Sequence, residues 1–307
     1  YYFTSATGLE NHLDGTPHWN SGTGPRNGGN AGLYGISMPQ FYAETFTPIG
    51  GSGVTTRIGH FEGILGAESL RAVGNFFYSH SYVFQYGQPI TNTGMMFNSV
   101  IAPDVEMLGG FTQGWNNFES PNGKLSYVGG VAVRSSSGDQ RIRLTVQSGR
   151  EDAAGLNPRT SYCLLFDQNF GGGLRYLFEH DLGIQDDAAI NDAGQLDEAM
   201  WYGITQYLMY VVDSTTEVGM RFEWFRDQDN ARVLGVPIAR LVDGGNYFGL
   251  TMGARLRNST GNIIVRPELR WDWSDVSAPD LNVNGVYDDF SDKNQFTAAV
   301  DVILLHP

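Results

Sequence analysis

One cysteine, Cys163, stands in a chain of 307 residues, which excludes a disulfide framework and a multi-cysteine metal cluster. No apolar run of about 18 residues is present to make a membrane-spanning helix. Basic residues are few: 19 Lys and Arg face 33 Asp and Glu, for a net charge of -14. That balance lacks the basic footprint of a nucleic-acid partner. Catalytic motifs are missing as well, with no H-E-x-x-H, no G-x-S-x-G and no P-loop, and the six histidines are scattered. The chain opens on Tyr1-Tyr2-Phe3, without the charged start and apolar run of a signal peptide. Either a leader and more were removed, or the sequence begins part-way through the protein.

What is abundant is glycine and aromatic residues: 40 Gly, 15 Tyr and 18 Phe. They are organised by alternation. Successive side chains of a strand point to opposite faces, so residues 262–273 place Ile263, Val265, Pro267, Leu269, Trp271 and Trp273 on one face. The other face carries Arg266, Glu268, Arg270 and Asp272. The pattern recurs. Val218, Met220, Phe222 and Trp224 oppose Gly219, Arg221 and Glu223; Leu174, Tyr176 and Phe178 oppose Arg175, Glu179 and Asp181; Ile142, Leu144 and Val146 oppose Arg141, Arg143 and Gln147. Phe296, Ala298, Val300, Val302 and Leu304 share the apolar face of the final strand. An apolar face ending in tryptophans, backed by charges, is the pattern of strands with lipid on one side and water on the other. The mean hydropathy of -0.25 agrees, because such strands spend every other residue on a polar lumen.

Strands are expected near residues 33–47, 53–63, 93–101, 105–115, 124–135, 140–149, 160–170, 173–182, 200–213, 215–226, 246–257, 262–273 and 294–306, with Tyr1 to Ala6 as the tail of one more. Residues 7–32 read as a loop. Connections alternate between short and long, the longest at 64–92, 183–199, 227–245 and 274–293. The fold class that follows is all-β: one domain, a transmembrane antiparallel up-and-down β-barrel, with about 13 or 14 strands in this chain and about 16 when complete. Trp115, Trp201, Trp224, Trp271 and Trp273 all fall at the long-loop ends of their strands, where an aromatic girdle at the headgroups is expected. Pro267 has no N–H for the ladder, so a missing bond or a bulge is expected there.

Several stretches resemble the β-barrel porin family of the outer-membrane-porin-like, planctomycete type. They are 38–44 (MPQFYAE), 57–61 (RIGHF), 74–82 (GNFFYSHSY) with 85–87 (QYG), 201–208 (WYGITQYL), 221–227 (RFEWFRD) and 266–272 (RPELRWD). The resemblance runs from about residue 33 to 305. It implies a pore-forming protein of the outer membrane of a Gram-negative-type bacterium, with two or three further strands upstream of Tyr1. One departure is the end of the chain, His306-Pro307, where barrels of this kind carry an aromatic residue.

A porin needs no enzyme chemistry and no required cofactor, only a water-filled lumen through which small hydrophilic solutes and ions diffuse passively. The residues expected to line it are Arg57, Arg141, Arg143, Arg175, Glu179, Asp181, Arg221, Glu223, Arg266, Glu268, Arg270 and Asp272. Their mixed signs suggest a transverse field; pairing across strands that merely holds the wall is the blander reading. Segment 64–92 is too aromatic to float in water and is expected to fold inward as a constriction, bringing Glu62, Glu68, Arg71, His80 and Gln85 to the narrowest point. A latch over a neighbouring subunit of a homotrimer is the alternative. Asp280, Asn282 and Asn284 open a D-x-N-x-N-G pattern, a calcium candidate in the outer loop 280–292, although Ser291 occupies the twelfth position and a solvated turn is the plainer reading. The expected partners are outer-membrane lipid and lipopolysaccharide. Two other functions fit a barrel: a surface anchor with adhesive loops, or a hydrolase using His80 or His180.

Overall fold

The computed structural model describes residues 2–5, 34–37, 40–50, 52–152, 154–191, 193–233, 244–277 and 284–305. Its strands are β1 (Tyr2–Ser5), β2 (Tyr34–Ser37), β3 (Phe41–Thr47), β4 (Val54–Glu62), β5 (Thr91–Ala102), β6 (Val105–Thr112), β7 (Ser126–Arg134), β8 (Gln140–Arg150), β9 (Pro158–Gly171), β10 (Leu174–Ile190), β11 (Leu196–Val211), β12 (Thr216–Asp227), β13 (Gly245–Arg257), β14 (Ile263–Ser274) and β15 (Asn294–Leu304). β3 to β15 form one 13-stranded sheet in chain order. The up-and-down order follows from short links such as 103–104 and 172–173, which bring each strand back beside its predecessor.

Two expectations are corrected. The strand expected at 33–47 is two: β2 pairs with β1 as a separate two-stranded sheet, and only β3 joins the large one. The connection expected at 183–199 is mostly strand. β10 and β11 continue past Ile184↔Met200 to Ile190↔Leu196, with a register shift between Gln185 and Ala189. Asp187 takes a positive φ of 51° inside the shift, so a bulge, which inserts unpaired residues and breaks the alternation, hid the extension.

Burial follows the alternation, but in the inverse sense to that of a soluble sandwich. On β14 the even-numbered residues from Ile264 to Ser274 are all buried, whereas Leu269 and Trp271 are exposed. On β12, Arg221 is 0% exposed and Glu223 is buried with it, while Val218 and Met220 are not. Leu304 on β15 is 75% exposed. A contiguous apolar surface of this kind is not stable in water, so the exposed face needs lipid.

Pro267 behaves as its chemistry requires. The β13–β14 pairing runs to Gly253↔Glu268 and resumes at Leu256↔Val265 in the same register, while Pro267↔Val300 pairs on the β15 side. The ladder loses pairing there without a bulge.

Two compact units are distinguished: residues 1–65, 89–132 and 145–160, and residues 66–88, 133–144 and 161–307. In the first, Phe61, Met96 and Val128 make a small core with Ile64 and Leu108 beside it. Glu151 accepts the Trp115 main-chain N–H at 2.9 Å and the Ser126 hydroxyl at 3.0 Å, and the Arg159 guanidinium lies over the Trp115 ring. In the second, segment 66–88 packs on one face of β10 to β14.

The girdle is corrected in part. Trp115 and Trp201 are buried, Trp201 on the same face as Thr205 and Tyr207. Trp224, Trp271 and Trp273 do form an aromatic row on the apolar face, together with Tyr202 and Phe248. Tyr202 meets Trp224 edge-on at 5.6 Å, Phe248 stacks on Trp273 at 5.2 Å, and Trp271 lies 4.7 Å from Trp273. Phe296, opposite Trp271, extends the row to β15.

Leu269→Arg tests the assignment of the lipid face. It should cost about 2–4 kcal/mol of folding free energy in vesicles if the site lies near the midplane. Equilibrium denaturation that shows no loss would mean that this face does not meet lipid.

Candidate functional site

Segment 66–88 has little secondary structure of its own, only a 3-10 turn at Ala72–Gly74 and a single π-helical turn at Val83–Gly87. Its main-chain groups therefore need partners from elsewhere. The charged face of β10 to β14 supplies them. Glu268 accepts the Tyr78 N–H at 2.8 Å and the Ser79 N–H at 3.1 Å. Arg266 donates to the carbonyls of Asn75 at 2.7 Å and Phe77 at 3.2 Å. Arg221 donates to the Ser79 carbonyl at 2.7 Å, Arg270 to the His80 carbonyl at 3.0 Å, and Glu223 accepts the Tyr82 N–H at 2.6 Å. At the start of the segment Arg143 holds the Gly66 carbonyl, and Glu179 accepts the Ala67 N–H at 3.2 Å. At its end Trp201 Nε1 donates to Gly87 O at 3.0 Å and Arg232 Nε to Tyr86 O at 2.8 Å.

Glu68 is the side chain the segment offers in return. Its Oε1 accepts from the Tyr207 hydroxyl at 2.6 Å and Arg221 Nη1 at 2.8 Å; its Oε2 accepts the Ser81 N–H at 3.0 Å and lies 3.1 Å from His80 Nδ1. Burial alone would raise this carboxyl's pKa, but the Arg221 charge, with His80 and Tyr207, outweighs it and lowers the pKa from 4.5 to about 2. Aromatic packing completes the attachment. His80 stacks on Phe84 at 4.2 Å, and the Tyr82 hydroxyl meets that of Tyr287, in the last long connection, at 2.6 Å.

The residues expected to line a lumen thus divide into two groups. Glu179, Arg221, Glu223, Arg266, Glu268 and Arg270 lie beneath the segment and bind its backbone, and Asp272 is buried with them, bound to Arg270 at 2.6 Å. The wet wall expected of the β14 charges is covered. Arg221 and Arg270 share Glu223, at 3.3 Å and 2.9 Å, and Arg266 pairs with Asp301. Asp181 is buried too. The second group keeps access to solvent: Arg57 pairs with Glu44 at 2.7 Å, Arg175 pairs with Asp167 at 2.6 Å, and Arg141 and Arg143 border a pocket with Asp167 and Arg175.

Of the five residues expected in the constriction, Glu68 and His80 meet at the anchor, and the Gln85 N–H closes a turn on Ser81 O. Glu62 ends β4, and Arg71 is exposed. The sequence reading missed Tyr207, Arg255, Thr251 and Asp301; the alternation of their strands puts them on the charged face, but nothing local marks them as partners of a distant segment. His180 lies on the opposite face from Glu179, with the Tyr162 hydroxyl 3.2 Å from its Nδ1, so His80 and His180 are not brought together. Asp280 and Asn282 lie outside the described residues. The Asn284 N–H bonds to Phe290 O, and Ser291 caps Asp288, within a turn closed on itself.

Two outcomes follow. Glu268→Ala leaves the Tyr78 and Ser79 amides without an acceptor, a loss on the order of 1–3 kcal/mol for each buried donor left unsatisfied. Segment 66–88 should then exchange its amide hydrogens faster than in the wild type while β10 to β14 remain protected; unchanged exchange would contradict the anchoring. The lowered Glu68 pKa means that its contribution to attachment is complete above pH 4.5 and is lost as pH falls toward about 2. Hydrogen exchange measured across that window should show release of the segment, with Glu68→Gln removing the pH dependence.

Residues 13–305 match the profile of a family described as Putative beta-barrel porin-2, OmpL-like. No curated protein matches the sequence. Similar solved structures include the outer membrane channel DcaP of Acinetobacter baumannii, 10% identical with a TM-score of 0.48 over 84% of this chain and 82% of that one. The loop L8 deletion mutant of the Vibrio cholerae outer membrane protein OmpT is 9% identical, TM-score 0.47, over 81% and 75% of the two chains. Pseudomonas aeruginosa OccK2 in complex with glucuronate is 11% identical, TM-score 0.43, over 86% and 80%. The profile spans nearly the whole chain and agrees with its all-β up-and-down sheet, charged on one face and apolar on the other: the chain belongs to the beta-barrel porin-2 family and is an outer-membrane β-barrel channel for small solutes.

Proposed function

We propose that the channel passes small hydrophilic solutes and ions by passive diffusion and that segment 66–88 is its constriction. The observation that carries this is the attachment of the segment, through its main chain, to the charged face of β10 to β14. A segment held at that many points narrows a path permanently and does not flap across it. The charges beneath it build the constriction; those with access to solvent filter what passes.

The filter proposed is Arg141, Arg143 and Arg175 with Asp167 on one side of the segment, and Arg255 with Glu217 near its 74–77 stretch. Arginine predominates, so modest anion preference is expected in spite of the acidic chain. Outer-membrane lipid and lipopolysaccharide are the proposed surroundings of the Trp224–Phe248–Trp273 row, and a homotrimer the proposed assembly.

Planar-bilayer recording tests the reading. Purified protein should give open, ohmic channels, in triplet steps if trimeric; insertion without conductance would reject the pore and favour a surface anchor. Replacing Arg141 and Arg175 together by Glu should move the reversal potential in a salt gradient toward cation preference while unit conductance changes less than twofold, a change of sign that follows from inverting the charges nearest the path.

A further inference from the structure

Beneath the start of the segment three side chains from two neighbouring strands converge. Cys163 on β9 and Glu179 and Asp181 on β10 are all buried, and their sulfur and carboxylate oxygens lie within 4.8 Å of one another. The Cys163 Sγ to Glu179 Oε1 distance is 3.7 Å, close to the edge of a tetrahedron around a zinc-sized ion, roughly 3.5 Å for metal bonds of the usual lengths.

A second observation points to something bound there. Asp181 is 1% exposed, yet no amide, hydroxyl or cation is bonded to either of its carboxylate oxygens; its polar neighbours are the Glu179 carboxyl and the Cys163 thiol. Thr205, opposite Glu179 across the β10–β11 ladder, is fully buried with its hydroxyl also unanswered. Buried polar groups are nearly always satisfied, and a carboxylate left alone in a dry site is costly. Elsewhere on this face the carboxylates of Glu68, Glu223 and Glu268 are answered by arginines or amides. Here Glu179 Oε2 takes the Ala67 amide and Glu179 Oε1 only the weak thiol donor of Cys163.

We propose that Cys163, Glu179 and Asp181 form a binding site for a borderline-soft divalent cation of the zinc type, set into the sheet under segment 66–88. A thiolate with two carboxylates selects against magnesium and calcium, which take oxygen ligands, and suits zinc, which takes sulfur and oxygen together. The charges agree. Arg143, which holds the Gly66 carbonyl, is within electrostatic reach of all three groups. With the thiol proton released to solvent on binding, a divalent ion and the Arg143 guanidinium neutralise the thiolate and the two carboxylates. Segment 66–88 seals the site, with Ala67 bound to Glu179 and Gly87 packed over Asp181. The ion would join β9 to β10 where the segment begins.

Because Cys163 is the only cysteine, the test has one possible origin of signal. Co2+ added to the full chain folded in detergent should produce a thiolate-to-cobalt charge-transfer band that saturates at one equivalent and is displaced by Zn2+. The band should vanish in Cys163→Ser, and Asp181→Asn should weaken Co2+ binding at least tenfold with the β-sheet circular dichroism unchanged. Zn2+ should raise the unfolding midpoint of the wild type and not that of Cys163→Ser. A folded wild type that gives no thiolate band, or a band that survives in Cys163→Ser, overturns the proposal and leaves a proton shared between Glu179 and Asp181 as the occupant of the site. None of these readouts depends on conductance, so they stand apart from the channel reading.

Discussion

A peptide with little helix and no strand can be buried only if the amides and carbonyls it hides find partners. Segment 66–88 meets that condition with side chains. Acidic residues take its N–H groups and arginines take its carbonyls, each drawn from strands already committed to the sheet. The charged ladder of β12 and β14 is the counterpart of a neighbouring strand, built from side chains instead of backbone. Charge-assisted bonds of this sort contribute about 1.5–3 kcal/mol each, enough for the set to hold a segment that has little intrinsic preference for any shape.

The same requirement explains why so many ions tolerate burial. Removing a charge from water costs several kcal/mol unless pairing and hydrogen bonds offset it. Here Arg221, Glu223 and Arg270 alternate in sign, and what they do not give each other they give to the segment. Wall and segment are therefore mutually dependent: bare, the wall would carry charges whose fixed partners are gone, and the segment alone would not hold its path.

Much of the sheet was legible because lipid on one side and polar groups on the other impose period two, and β12 and β14 follow it over most of their length. Pro267 was legible for a local reason, the missing N–H. What escaped was decided at long range. Trp201 satisfies the end-of-strand rule for a girdle, yet its strand parity turns it toward the segment, where Gly87 O takes its indole N–H. Trp115 lies in a turn, where parity gives no guidance. The β10–β11 extension was hidden by a bulge that breaks the alternation at Asp187. The charged residues share the face opposite the apolar one, as their parity requires, but their burial could not be seen, because the partner lies as many as 191 positions away in the chain.

That separation orders events in time. The bond from the Tyr78 amide to Glu268 closes a span of 190 residues, so this part of the segment has no seat until β14 has been laid down, although Arg143, Glu179 and Tyr207 on earlier strands already offer partners to its start. Contacts so distant in sequence form late, after the loop-closure entropy has been met by nearer pairings. Residues 75–80 therefore take their final place only once β14 is in position.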